Sequence, residues 1–417
     1  MLIQSSSTAS PLEEFKMHLK AGRYAAAIQR HYLQLAERFV DYLKRTSVAV
    51  EAAYMRELDD FLRRELRSWR RRYGRDPRNV VIWRRRHKTA VAAFLRFVHG
   101  RWPVPAPPVT AIELFHRDLV QEYDIWLWDL RGLAPVTRAT RAKYALEFLA
   151  DLGLRADRET LGDLSIRDID VYMRQRCEGF RRTTIEGYVV CLRSFLRYLH
   201  GSGRTASDLS NAVLGPRIYD NEQIPSALRP EEVQAVLEAT RHDHSRIGRR
   251  DYAFLMLLAV YGLRASDIVA LRLNDFDWKK DILHVRHSKT GADSELPLLR
   301  EPGEAVLSYL EKARPESESR ELFLRFQAPY GAYSKGAILN CVIRKRLKVA
   351  GITPRSKKGP HAFRHARAVS MLRAGVPPKI IGDFLGHRSA KSTGVYLKLA
   401  TEDLRAVGLN IPKEVLA

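Results

Sequence analysis

Four prolines fall within six positions, Pro103, Pro105, Pro107 and Pro108. Each fixes its own φ and lacks an amide donor, so neither a helix nor a central strand can run through this stretch. A second break begins at Gly201 and Gly203 and continues as a polar run to Pro225. These signals divide the chain into residues 1–103, 109–205 and 227–417. A length of 417 residues suits such a division, because single domains usually hold about 100–150 residues.

The first two units read as helical. Leu33, Ala36, Phe39, Val40 and Leu43 return at three and four, the spacing that puts apolar side chains on one helix face. Phe94-Leu95-Arg96-Phe97-Val98-His99-Gly100 closes the first unit much as Phe195-Leu196-Arg197-Tyr198-Leu199-His200-Gly201 closes the second. Two readings stand: a duplicated helical module, or a common amphipathic helix ended by glycine. In the third unit, Arg229-Pro230-Glu231-Glu232 opens a helix, with proline at its first position and acids in its first turn. A second, more apolar helix passes through Phe254, Leu255, Leu258 and Val260 to Gly262. Alternation at Leu283 and Val285, then Leu296 and Leu298, predicts a hairpin with Ser288 to Ser294 in its loop and Lys289 at the loop's edge. Helical patterns follow, with Gly375 and Pro377-Pro378 separating two of them. The fold class is therefore mainly α, with a small antiparallel β-sheet in the third unit.

A formal net charge of +23 calls for a polyanionic partner. No apolar run approaches the roughly 20 residues that span a bilayer, and the first residues lack the basic and apolar regions of a signal peptide. The expectation is a soluble, cytoplasmic protein with no membrane partner. Cys177, Cys191 and Cys341 are far apart and form no CxxC pair, so they read as reduced thiols. No HExxH, carboxylate cluster or ATPase-type phosphate loop is present, so neither a metal nor another cofactor is expected. Between Arg63 and Lys88 stand twelve basic and two acidic residues, with Trp69, Tyr73 and Trp83 among them. Arg63, Arg64, Arg67, Arg70, Arg71, Arg72, Arg84, Arg85 and Arg86 are candidate phosphate contacts. The competing reading is a solvated helix face.

Five spaced motifs carry chemistry: Tyr261-Gly262-Leu263-Arg264-Ala265-Ser266-Asp267, Ser288-Lys289-Thr290-Gly291, His361-Ala362-Phe363-Arg364, Leu385-Gly386-His387, and Tyr396 nine residues after that histidine. A phenol can attack phosphorus and keep the ester energy in a covalent bond, which makes Tyr396 the candidate nucleophile. Two guanidiniums, Arg264 and Arg364, suit the charge that spreads over the phosphoryl oxygens. A tyrosine titrates near pH 10 and needs a proton acceptor, while the departing oxygen of the phosphodiester needs a donor, for which the loop ammonium of Lys289 is the candidate. Asp267, three residues past Arg264, shares its helix face and orients the arginine or a neighbouring histidine.

In the order and spacing of these parts the chain resembles the tyrosine recombinases, also called the phage integrase family. Leu130-Arg131-Gly132-Leu133-Ala134, then Thr137, Thr140, Tyr144 and Phe148, and later Thr183 to Tyr198, resemble the family's helical core-binding domain. The resemblance covers roughly the last three quarters of the chain and is most specific in the last third. It implies a core-binding domain at 109–205 that clamps duplex DNA with a mixed α/β catalytic domain at 227–417; the charge run and the repeated ending, outside that resemblance, make residues 1–103 an additional helical basic module, either DNA-binding or core-binding-like. It also implies that His361 accepts the phenol proton and that His387 bonds the phosphate. The product would be a 3′-phosphotyrosine link, with four protomers in a synaptic tetramer on two DNA sites and, in some relatives, companion recombinases. Residence on a mobile element follows only by analogy. Ala366 stands where relatives often carry a hydroxyl, and Leu397-Lys398 follows the tyrosine where a histidine is frequent. The tail from Thr401 to Leu416 has a helix start signal and is expected to dock on a neighbouring protomer. A type IB topoisomerase and a catalytically silent DNA-binding accessory protein are the alternatives.

Overall fold

The computed structural model describes residues 10–218, 227–289, 291–354, 358–387 and 393–394. The described parts of Met1–Ala53, Glu57–Trp102 and Gln223–Ala417 make one compact unit, and those of Tyr54–Arg56 and Pro103–Glu222 another.

The basic N-terminal segment is four helices, α1 (Pro11–Ala21), α2 (Ala26–Arg45), α3 (Met55–Tyr73) and α4 (Val80–His99). Asn79 caps α4 by accepting from the Ile82 amide at 2.9 Å, and Gly100 ends it at φ +69°, a conformation that glycine adopts without a Cβ clash. The predicted face of α2 is the buried one: Ala36, Phe39, Val40 and Leu43 lie in the core, joined by Leu35. Phe39 meets Phe61 edge-on at 5.2 Å and Phe15 meets Phe94 at 5.3 Å, so aromatic contacts lock these helices together.

The second unit is also helical: α5 (Ala111–Asp129), α6 (Pro135–Leu152), α7 (Ile166–Cys177) and α8 (Arg182–Gly201). Thr110 and Glu113 form a reciprocal cap at the start of α5. Tyr123 is fully buried, with its hydroxyl donating to Ser194 Oγ at 2.8 Å; burial pushes its phenol up to about 12. The two similar seven-residue endings bury equivalent pairs, Phe94 with Leu95 and Phe195 with Leu196. They then diverge: α4 stops before Gly100, whereas α8 runs through Gly201 and the left-handed turn falls at Gly203.

The C-terminal third is built around α10 (Arg246–Tyr261), where Ala253 to Leu258 are buried without a break. Around it lie α9 (Pro230–Arg241), α11 (Ala265–Ala270), α12 (Arg300–Lys312), α13 (Ala337–Val349), α14 (Pro360–Arg373) and α15 (Pro378–Phe384). Gly262 ends α10 at φ +60°, as its position in the sequence predicts. Three antiparallel strands run β1 (Phe276–Asp277), β2 (Ile282–Arg286) and β3 (Asp293–Pro297), in that spatial order. Leu283 pairs with Leu296 and both face the core, while His284 and Glu295 face outward, which is the period-two pattern of a half-buried sheet. The loop is shorter than the predicted Ser288–Ser294, because Ser294 already pairs with Val285 and the His287 amide donates to the Ala292 carbonyl at 2.8 Å. β1 was not expected; two residues are too few to show periodicity.

Candidate active site

Arg264 sits at the start of α11, immediately past the Gly262 turn. A Cβ on Gly262 would approach Leu385 Cδ2 to 2.8 Å, so this turn packs directly on the segment after α15. Arg264 donates through Nη2 to the Gly386 carbonyl at 2.9 Å. Arg364, on the second turn of α14, donates through Nη1 to the Gly262 carbonyl at 2.6 Å and through Nη2 to the Leu385 carbonyl at 2.5 Å. The two guanidiniums therefore hold successive carbonyls just ahead of His387, and Arg364 also secures the turn that presents Arg264. Arg264 Nη1 is buried without a hydrogen bond and lies 3.7 Å from Asp267 Oδ2. A buried cationic donor in that state is costly to desolvate and suits an incoming oxyanion.

Asp267 is 1% exposed and lies within reach of Arg264, Ser288 and His287. Its Oδ1 accepts from the Ser288 amide at 3.1 Å and from Ser288 Oγ at 2.7 Å. Its Oδ2 meets His287 Nδ1 at 3.1 Å. Burial alone would raise this carboxyl, but hydrogen bonds from His287 and Ser288 outweigh it and leave the group below its ordinary range.

Sequence reasoning missed His287. It is fully buried, between Asp267 and Ser294 Oγ, which lies 3.1 Å from Nε2. The available signal was its place one residue after the exposed Arg286 at the end of an alternating strand, directly before Ser288-Lys289. Gly386 exists for its sake: its φ is +64°, and a Cβ there would fall 2.5 Å from the His287 ring.

His387 follows that glycine. Burial, then the nearby charges of Arg364 and Arg264, depress its imidazole from 6.5 to about 4, so the ring is neutral at pH 7. Nδ1 lies 2.9 Å from the hydroxyl of buried Thr393, another residue the sequence reading passed over. Thr393 in turn packs on α15, since a Cβ on Gly382 would approach its Oγ1 to 2.9 Å.

Of the predicted catalytic residues, Arg264, Arg364, Asp267 and His387 are thus brought together at the 385–387 turn. Lys289 is exposed in the β2–β3 loop beside Ser288, and His361 is exposed in the first turn of α14, its ring 6.1 Å from that of His365. Tyr396 and the tail from Thr401 to Leu416 lie outside the described residues. The nine candidate phosphate-binding arginines are all exposed on α3 and α4. Arg63 pairs with Asp60, Arg70 with Asp76 and Arg84 with Asp59, so part of that charge is already balanced. Among the described residues no group of three or more His, Cys, Asp or Glu is placed to hold a metal ion, and no helix is long and apolar enough to cross a membrane.

The model of the phage integrase family matches residues 226–403. The y4gC protein of Sinorhizobium fredii (strain NBRC 101917 / NGR234), named for an inferred integrase/recombinase activity, is 52% identical over 189 residues, 45% of this chain and 97% of that protein. The similarly named y4rA of the same strain is 35% identical over 295 residues, 71% of each chain. Among solved structures, the XerH site-specific recombinase bound to its difH substrate aligns with a TM-score of 0.52 at 15% identity, over 71% of this chain and 88% of that one. A λ integrase tetramer bound to a Holliday junction aligns at 0.51 and 17% identity, over 77% and 87%, a likeness of fold. The chain belongs to the phage integrase family, the tyrosine recombinases, enzymes that cut and rejoin DNA strands.

Proposed function

We propose that this site-specific recombinase works through a 3′-phosphotyrosine intermediate formed by Tyr396. The observation that carries the reading is the pair of arginines, Arg264 and Arg364, anchored on successive carbonyls ahead of a neutral His387. Fixing two guanidiniums on the backbone before substrate arrives costs no reorganisation during reaction, which is how preorganised donors stabilise a phosphoryl transition state. Tyr396 Oη attacks phosphorus as the bond to the 5′ oxygen breaks. His361 takes the phenol proton, Lys289 gives a proton to the departing oxygen, and His387 donates a hydrogen bond to a non-bridging oxygen. The resulting 5′-hydroxyl on a partner strand reverses the same steps and rejoins the DNA, with no nucleotide consumed.

The partner is double-stranded DNA, and the assembly a tetramer on two sites, by likeness to the DNA-bound relatives above. Residues 109–205 and 227–417 form the clamp, and residues 1–103 form an additional basic module that lengthens the contacted site. Integration, excision or transposition of a mobile element in the cytoplasm is the biological setting that fits this family. The test is trapping on nicked DNA carrying a candidate element end, comparing wild type with Tyr396→Phe on a denaturing gel. A covalent adduct in wild type alone is the expected result; its absence despite demonstrated binding to that DNA overturns the mechanism.

A further inference from the structure

The basic N-terminal module holds a groove of about 720 Å³ where the end of α3 and the start of α4 meet α2. Its walls are aromatic: His31, Trp69, Trp83 and His87, with Arg78 and Arg86 beside them. Trp83 and His87 stack at 3.8 Å and 28°, Trp69 meets Trp83 at 6.3 Å, and the His31 ring stands perpendicular to that of His87 at 6.1 Å.

Three features distinguish this groove from ordinary helix packing. Trp69 Nε1, Trp83 Nε1 and His31 Nε2 are buried without a hydrogen-bond partner, an unusual concentration of unspent polar capacity. Burial, aided by the charge of Arg86, lowers the pKa of His31, and burial lowers that of His87, so the walls are neutral rings. The surrounding helices carry the chain's densest positive charge, twelve basic against two acidic residues between Arg63 and Lys88. Neutral π-faces with spare N–H groups inside a cationic field complement one chemical unit in particular, a heterocyclic base attached to a phosphate.

We propose that this groove receives one unpaired nucleobase of bound DNA, stacked on the Trp69–Trp83–His87 wall, with its phosphate drawn by Arg78 and Arg86. The inference rests on the reading of residues 1–103 as a DNA-contacting module. Strands that are nicked or exchanging expose such bases, so the groove engages DNA during strand exchange rather than in an intact duplex.

The probe is a short single-stranded oligonucleotide bearing one 2-aminopurine among abasic sites, compared with the all-abasic strand of the same length and charge, titrated into the full chain. The expected result is quenching of the 2-aminopurine emission and about ten-fold tighter binding of the base-bearing strand. Trp83→Leu removes both effects, and exposed Arg86→Ala, which leaves the wall intact, weakens binding while keeping the quenching. Equal affinity for the two strands overturns the proposal and leaves only phosphate attraction. Unchanged quenching in a folded Trp83→Leu protein overturns it too, because the base then stacks outside the groove. A wild type that forms the covalent adduct on nicked duplex but does not quench 2-aminopurine overturns this inference alone.

Discussion

Arg264 donates to the carbonyl of Gly386 at 2.9 Å across 122 positions of sequence. This bond ties the start of α11 to the turn that leads into His387. Arg364 closes the same triangle by reaching the Gly262 and Leu385 carbonyls. The site is therefore a mutual brace, in which each guanidinium is positioned by backbone that another motif supplies.

Gly386 is the most constrained point of that brace. Gly386→Ala places a Cβ 2.5 Å from the His287 ring and forces alanine to φ +64°. The left-handed backbone alone costs about 1–3 kcal/mol. The variant should melt earlier and form covalent adduct at least roughly ten-fold more slowly, because the carbonyl that Arg264 grips moves as well. A wild-type adduct rate would show that the close approach is relieved elsewhere.

Asp267→Asn tests the buried hub. The amide keeps the shape but has one acceptor oxygen where the carboxylate had two, so one of the His287 and Ser288 donors is left facing an NH₂ group. The expected loss is about 1–3 kcal/mol of stability. The sign with pH is definite: a carboxyl held below its unfolded value contributes stability above the ordinary carboxylate range and loses it as pH falls through the folded value. Urea denaturation at several acidic pH values should show a flatter dependence in the variant.

Thr393 holds His387 through a 2.9 Å contact between its hydroxyl and Nδ1. With the ring neutral, the threonine hydroxyl can donate to Nδ1, which leaves the proton on Nε2 for a phosphate oxygen. Thr393→Val should slow adduct formation by roughly three- to ten-fold, the worth of one hydrogen bond, and Thr393→Ser should restore it. Nitrogen NMR of His387 gives the independent readout: the Nε2–H form in wild type and in Thr393→Ser, a mixture in Thr393→Val.

His387 also fixes an acid limit. Its folded pKa of about 4 lies below the ordinary 6.5, so the unfolded chain binds the proton more readily and stability falls as pH drops from about 6.5 towards 4. His387→Phe should remove that part of the acid slope in a thermal-melt series. An unchanged slope would mean that the ring is solvated.

The arginine run can be divided by its ion pairs. Arg63, Arg70 and Arg84 already face aspartates, whereas exposed Arg71, Arg72, Arg85 and Arg86 stand in none of those pairs. Replacing the latter four by alanine should reduce the salt dependence of DNA binding by up to about 0.9 for each phosphate that is no longer neutralised. Replacing the paired three should reduce it less, and the reverse order would count against a DNA-facing α3–α4 surface.

Much of the fold was legible because it is written locally. The apolar spacing of α2, the proline and acids that open α9, the glycine that ends α10 and the alternation of β2 and β3 each need only a few neighbouring residues to be read. The family was legible in the same way, since Arg264, Lys289, His361, Arg364, His387 and Tyr396 stand in short motifs whose order and spacing resemble those of the tyrosine recombinases. Tertiary structure decided which of these motifs brace one another. It made His287 a buried partner of Asp267, placed Thr393 against His387, and turned an aromatic-basic stretch into a walled groove. Those relationships depend on side chains and carbonyls that meet only after helices pack, and burial, not residue type, then sets whether an imidazole such as His387 is neutral.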